Sequence, residues 1–91
     1  MNEHRWTVSI FIDEGVGDGT KTVAHAQLHG RDGVQLTGEG VAQLSPHDKD
    51  VPEIGDELSA SRALHDLADQ LLQASTDDVA QSTHEHVHLK S

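Results

Sequence analysis

Two runs with a two-residue hydrophobic period, Thr20 to His29 and Val34 to Leu44, meet at Gly30-Arg31-Asp32-Gly33. The length of that turn decides which side chains share a face, because a one-residue slip sends every side chain to the opposite side. A two-residue Asp32-Gly33 turn sets even-numbered residues beside odd ones. A three-residue loop, Arg31-Asp32-Gly33, pairs Gly30 with Val34, Leu28 with Leu36, Ala26 with Gly38 and Ala24 with Gly40. Only the second choice gathers the apolar set on one face, and it puts Gly33 where a left-handed bulge residue belongs. The pattern therefore predicts the three-residue loop.

An earlier segment alternates as cleanly. Trp6, Val8, Ile10 and Ile12 take one side of a strand, and Thr7, Ser9 and Phe11 take the other. This strand is predicted to end at the glycine-rich loop Asp13 to Gly19. The even-numbered face of all three strands is then the core. Gly38 and Gly40 lie on that face and leave space, either for a helix to approach closely or for a bulge.

A polar connector with two prolines, Ser45 to Pro52, precedes the helix, which is predicted to begin between Pro52 and Asp56. Asp56 is a good cap and Glu57 suits the first turn. Ala60, Ala63, Leu64, Leu67, Leu71 and Ala74 form one stripe, widened by Ile54, Leu58, Ala68 and Leu72. Arg62, Asp66, Asp69 and Gln73 form the wet side. The apolar arc is too wide for one sheet, so it predicts a second contact. Ser75 or Thr76 then caps a short second helix that starts with Asp77 and Asp78, and the tail from His84 to Ser91 frays. The expected fold class is α+β: a three-stranded antiparallel meander packed on one long helix, plus a short C-terminal helix. It forms one domain over residues 1–91, with an ordered core of about 5–84 and a frayed 85–91.

Composition bounds what this fold can do. Val, Leu, Ile and Phe number 21 of 91, a small core that predicts completion by a partner chain. The absence of cysteine excludes disulfides, thiolate metal sites and cysteine nucleophiles. No apolar run approaches the roughly 20 residues needed to span a bilayer, and the start Met1-Asn2-Glu3-His4-Arg5 is unlike a signal peptide, so a cytoplasmic location is expected. The formal charge of −10 opposes a simple phosphate-backbone binder. Eight histidines make that charge pH-sensitive, since full protonation moves it to −2.

The chemistry-bearing motifs are few. Gly15-Val16-Gly17-Asp18-Gly19 lacks the Gly-Lys-Ser/Thr ending of a phosphate loop. There is no Gly-x-Ser-x-Gly elbow. A single sheet with one main helix encloses little, so no enzyme activity and no cofactor are expected. His84, His86 and His88 alternate and would point the same way in an extended chain, a weak metal candidate. The odd face of the sheet is mostly polar. Val23 is expected beside Val41, with Ser9 on the far side of Val23 and Phe11 close by, and His25 across from Glu39.

The stretch Ile54-Gly55-Asp56-Glu57-Leu58, Arg62-Ala63-Leu64 and Asp66-Leu67-Ala68 resembles a family of small actinobacterial proteins of unknown function, mycobacterial dormancy-associated proteins among them. Leu36-Thr37-Gly38-Glu39-Gly40-Val41-Ala42 and Ser82-Thr83-His84 fit it too, and the resemblance runs from about Trp6 to His84. It implies a double-stranded-RNA-binding-domain-like fold lacking the first helix, a homodimer, and a role in silencing ribosomes similar to that of hibernation factors. Where such a domain presents lysines, this chain has Glu53, Asp56 and Glu57.

Two functions are therefore carried forward. The first is a stress-associated dimer on the translation machinery, with Lys21, His25, His29 and Arg31 as the surface for nucleic acid or a partner. The second is a protein-interaction module without nucleic acid, acting through Phe11, Val23, Val41, Leu58 and Leu72. A third possibility is pH or metal sensing by the histidines.

Overall fold

A computed structural model describes residues 2–17, 19–30, 33–43 and 52–83. Strands β1 (Thr7–Val16), β2 (Lys21–Gly30) and β3 (Gly33–Gln43) form an antiparallel sheet in the order β1-β2-β3, followed by one long helix, α1 (Pro52–Thr83). The α+β meander with a single long helix is as the periodicity predicts.

The β2–β3 register carries the predicted pairs Leu28–Leu36, Ala26–Gly38 and Ala24–Gly40. The turn itself differs. Gly30 pairs with Gly33 rather than Val34, and His29 pairs with Val34. The extra residue that keeps the apolar set on one face is absorbed as an irregularity between Leu28 and His29, not in the loop. Gly33 has a φ of 103°, a conformation open to glycine and strained for other residues. Arg31 and Asp32 lie outside the described residues.

β1 outruns its predicted end at Ile12. It continues to Val16 through a bulge between Asp13 and Val16, and Val16 pairs with Lys21. The longer strand moves the β1–β2 register, so Asp13, not Ser9, lies opposite Val23, and Ser9 lies opposite Gln27.

The core sits between β2, β3 and one line of α1. Ala24, Ala26, Leu28 and Ala42 on the sheet meet Ala63 and Leu67 on the helix, all at 3% exposure or less. Ser59 is also buried, one turn before Ala63. Small residues make this contact close. A Cβ on Gly38 would strike the Ala63 carbonyl, and one on Gly40 would strike the Ser59 carbonyl, so the helix backbone rests almost directly on the β3 backbone. Of the two uses open to these glycines, close helix approach is the one realised. Gly55 extends the contact to Thr22 at the helix start.

The predicted short second helix is instead the continuation of α1 to Thr83. No glycine or proline stands between Gln73 and Thr83 to stop the helix. Thr76 Oγ1 donates to the Leu72 carbonyl at 3.1 Å, and Gln73 Nε2 donates to Asp77 Oδ1 at 3.1 Å. Thr76 thus bonds back into the preceding turn, which takes its hydroxyl away from capping a new one.

β1 is the second departure. Its even-numbered residues have the pattern of a core strand, yet Val8, Ile10 and Ile12 are 43%, 40% and 38% exposed, and Trp6 just before them is 57% exposed. One helix, about 10 Å across, covers two strands spaced near 4.8 Å and leaves the third bare. No helix among the described residues is long and apolar enough to cross a membrane.

Candidate functional site

The sheet presents two candidate surfaces, one on each face. On the face away from α1, the residues predicted to cluster do so in part. His25 lies between Phe11 on β1 and Glu39 on β3, and its Nε2 is 3.3 Å from Glu39 Oε2. Val23 and Val41 are paired, one step further along. Phe11 is 53% exposed and Val41 38%. The result is a small apolar cluster around an exposed pair that is ionic only when His25 is protonated, and such a pair contributes well under about 1 kcal/mol.

The cationic set does not form one patch. Lys21 and His29 stand at opposite ends of β2, roughly 25 Å apart at the rise of an extended strand. His25 lies midway, and Arg31 lies outside the described residues. No continuous basic stripe follows, and β2 offers Lys21 as its one permanent cation.

Leu58 and Leu72 do not join Phe11, Val23 and Val41. The helix packs on the opposite face of the sheet. At 100° per residue, Leu72 points directly away from the buried Ala63, and Leu58 lies within about 40° of the same outer direction. They are 44% and 38% exposed.

The second surface is on the helix side, and the even pattern of β1 was its signal in the sequence. The bare inward face of β1 continues onto the flank of α1 that carries Ala60, Leu64 and Leu71. Leu64 is 42% exposed. Beyond the end of the sheet the helix overhangs, and a cleft of about 540 Å³ opens there between Trp6, Leu36, Leu71, Ala74 and Val79, with Gln35, Ser75 and Asp78 as its polar lining. The cleft is open, so it extends the apolar surface and does not seal a ligand from water.

The opposite flank of α1, which holds Arg62 and Asp66 of the predicted wet side together with Gln70, has a role that periodicity did not suggest. Arg62 Nη1 donates to the Val41 carbonyl at 2.6 Å, Gln70 Nε2 donates to the Thr37 carbonyl at 2.8 Å, and the Glu39 N–H donates to Asp66 Oδ2 at 2.9 Å. These side chains recur every four residues and run along the outer edge of β3. A polar residue four positions from the next is also the pattern of a solvated face, so the sequence held no signal that distinguished the two.

Among the described residues, no group of three or more His, Asp or Glu is placed to hold a metal ion. His84, His86 and His88 lie outside them. What the geometry offers chemically is contact area: an apolar strand with an open edge, a helix flank beside it, and a mostly polar sheet face behind.

The comparisons with known proteins agree with this architecture. The uncharacterised protein MT1780 of Mycobacterium tuberculosis is 49% identical over 84 residues, covering 92% of this chain and 85% of the relative. The uncharacterised protein Rv2632c of the same species is 40% identical over 80 residues, covering 88% and 82%. The crystal structure of Rv2632c superposes with a TM-score of 0.79 at 39% identity, over 93% of this chain and 96% of that one. Residues 4–88 match the model of the Rv2632c-like family, and the chain belongs to that family.

Proposed function

We propose that this chain is a non-enzymatic protein-interaction module that works as a homodimer. The observation that carries the reading is β1: a strand patterned for a core, with Val8, Ile10 and Ile12 about two-fifths exposed in the single chain. The buried apolar set of one chain is mostly alanine, namely Ala24, Ala26, Ala42 and Ala63, with Leu28 and Leu67 as its larger members. Domains this small bury too little surface to be robust alone, and a second copy laid on β1 supplies the missing cover.

Sedimentation equilibrium tests the reading. The expected mass is twice 9.8 kDa. Ile10→Asp should yield a folded monomer, because Ile10 lies outside the buried set. A wild-type chain that stays monomeric up to millimolar concentration would remove the homodimer.

A second reading is a cytoplasmic, stress- or dormancy-associated dimer with a double-stranded-RNA-binding-domain-like fold that sits on the ribosome. In its favour is the layered arrangement, a three-stranded antiparallel sheet with a helix along one face and the other face open. The net charge of −10 and the acidic Glu53 in the first helical turn argue for a protein contact there over a phosphate contact. Sedimentation of lysate from starved cells through a sucrose gradient is the test. Travel with ribosomes supports this reading, and recovery at the top as a free small dimer leaves the plain interaction module. Ribosome binding that survives neutralisation of Lys21 and Arg31 together would take those two residues out of the case.

A further inference from the structure

The face of α1 turned away from the sheet carries a stripe that the fold leaves uncovered. At 100° per residue, Ile54, Leu58, Ser61, His65, Ala68 and Leu72 all lie within about 40° of the direction opposite the buried Ala63. Their spacing alternates four and three residues, the period of a seam between two helices. All six are exposed, with Ile54 at 49%, Leu58 at 44% and Leu72 at 38%. The stripe runs about 27 Å, or about five turns. Scattered exposed leucines are ordinary on a protein surface, but here the large apolar side chains fall into one seam. Charge selects what can lie on it. The sequence of α1 holds seven carboxylates and a single Lys or Arg, Arg62, whose guanidinium is engaged with the Val41 carbonyl. Glu57 and Asp69, both exposed, stand about 60° to either side of the centre line of the stripe. A second copy would set seven carboxylates against seven, which self-repulsion opposes. A helix with Lys or Arg beside its own apolar stripe meets opposite charge on both borders.

We propose that the outer face of α1 docks a basic amphipathic helix of a partner protein, whose apolar stripe lies along Ile54, Leu58, Ala68 and Leu72 and whose cations face Glu57 and Asp69. Such a helix is a partner class for the interaction-module reading, on which this step rests, and it binds by laying an apolar face on an apolar surface. Ser61 and His65 stand at the middle of the stripe, where a polar side chain within an apolar seam fixes register at some cost in affinity. The surface uses no residue of β1, so it is separate from the face assigned to the second copy.

The test is fluorescence anisotropy of a labelled synthetic peptide of about 20 residues, with Leu in the four-three seam and Lys at every flanking position, titrated with the full chain. Saturable binding that weakens as salt rises is expected. The double variant Leu58→Asp with Leu72→Asp should weaken it at least about tenfold. Both residues lie outside the buried set, so this variant should fold. Attraction by charge alone would hold or tighten there, because the variant gains carboxylates. Binding that does not weaken in it overturns the docking face, and so does equal binding of a peptide of the same composition with its leucines scattered off the seam. Equal binding of a version with Glu in place of Lys overturns the basic partner. Loss of binding in Ile10→Asp, with Leu58→Asp and Leu72→Asp harmless, moves the site to β1 and overturns it as well. An assembly larger than a dimer that Leu72→Asp dissolves makes a second copy the occupant instead. If the double variant does not fold, Leu58→Ala and Leu72→Ala taken singly should each weaken binding at least about threefold. A chain that sediments as a dimer and binds no peptide up to millimolar concentration overturns the docking face and leaves the homodimer standing. A monomeric chain that binds the peptide does the reverse.

Discussion

β1 and β3 are both edge strands of one sheet, and they stand in opposite states. β3 lies under the helix, its glycines touching the helix backbone and its outer edge bonded by Arg62, Asp66 and Gln70. β1 carries the larger side chains, Val8, Ile10 and Ile12, and keeps them 38–43% exposed. The strand with little to bury is covered, and the strand with much to bury is bare. Burial here follows closeness of approach: a helix settles where the sheet is flattest, and two glycines and several alanines make β2–β3 the flat part. The apolar surplus is left on β1, where it is available to another chain.

Substitutions can break this contrast. The largest effect should come from Gly40→Val. Its side chain would meet the Ser59 carbonyl and Arg62 Cβ, and the helix would have to lift off the sheet. A loss of about 3 kcal/mol or more is expected in urea unfolding. A variant as stable as the parent would show that the close approach is not needed.

Next is a matched pair of truncations. Leu67→Ala removes a side chain that is 3% exposed and should cost about 3 kcal/mol. Ile10→Ala removes one that is 40% exposed, and in dilute solution it should cost about 1 kcal/mol. Equal losses would mean that β1 is as well covered as β2 and β3 in the single chain.

The smallest effect sharpens the picture of the other face. Glu39→Gln removes the charge opposite His25, and its stability in urea unfolding should differ from the parent by less than about 0.5 kcal/mol. A larger change would promote the His25–Glu39 pair from a surface contact to a stabilising one.

Much of the fold is legible in the sequence. The pairs Leu28–Leu36, Ala26–Gly38 and Ala24–Gly40 followed from one requirement, that the apolar residues share a face. The local means of meeting it was not legible, because an extra residue in the loop and an irregularity beside the loop restore the same parity. The end of α1 is not legible in the sequence for a related reason. Ser75 and Thr76 are good caps, but a hydroxyl can also bond back to the preceding turn, and Thr76 does so. The predicted surface residues form two patches, because Phe11, Val23 and Val41 belong to the odd face of the sheet and Leu58 and Leu72 to a spare flank of the helix, and periodicity marks each as uncovered without saying how the two stand to one another.

The sequence by itself determined three strands followed by a long helix and the face of each strand, because these depend on periodicity and side-chain volume. Only the tertiary structure decided which strand goes uncovered and what the helix's polar flank is for. Both depend on where a helix of fixed width comes to rest across three strands. That position is set by the sum of many contacts and is not written in any one segment. Arg62 and Asp66 read as solvated from their spacing, and with Gln70 they reach the β3 backbone because the helix lies where Gly38 and Gly40 let it lie.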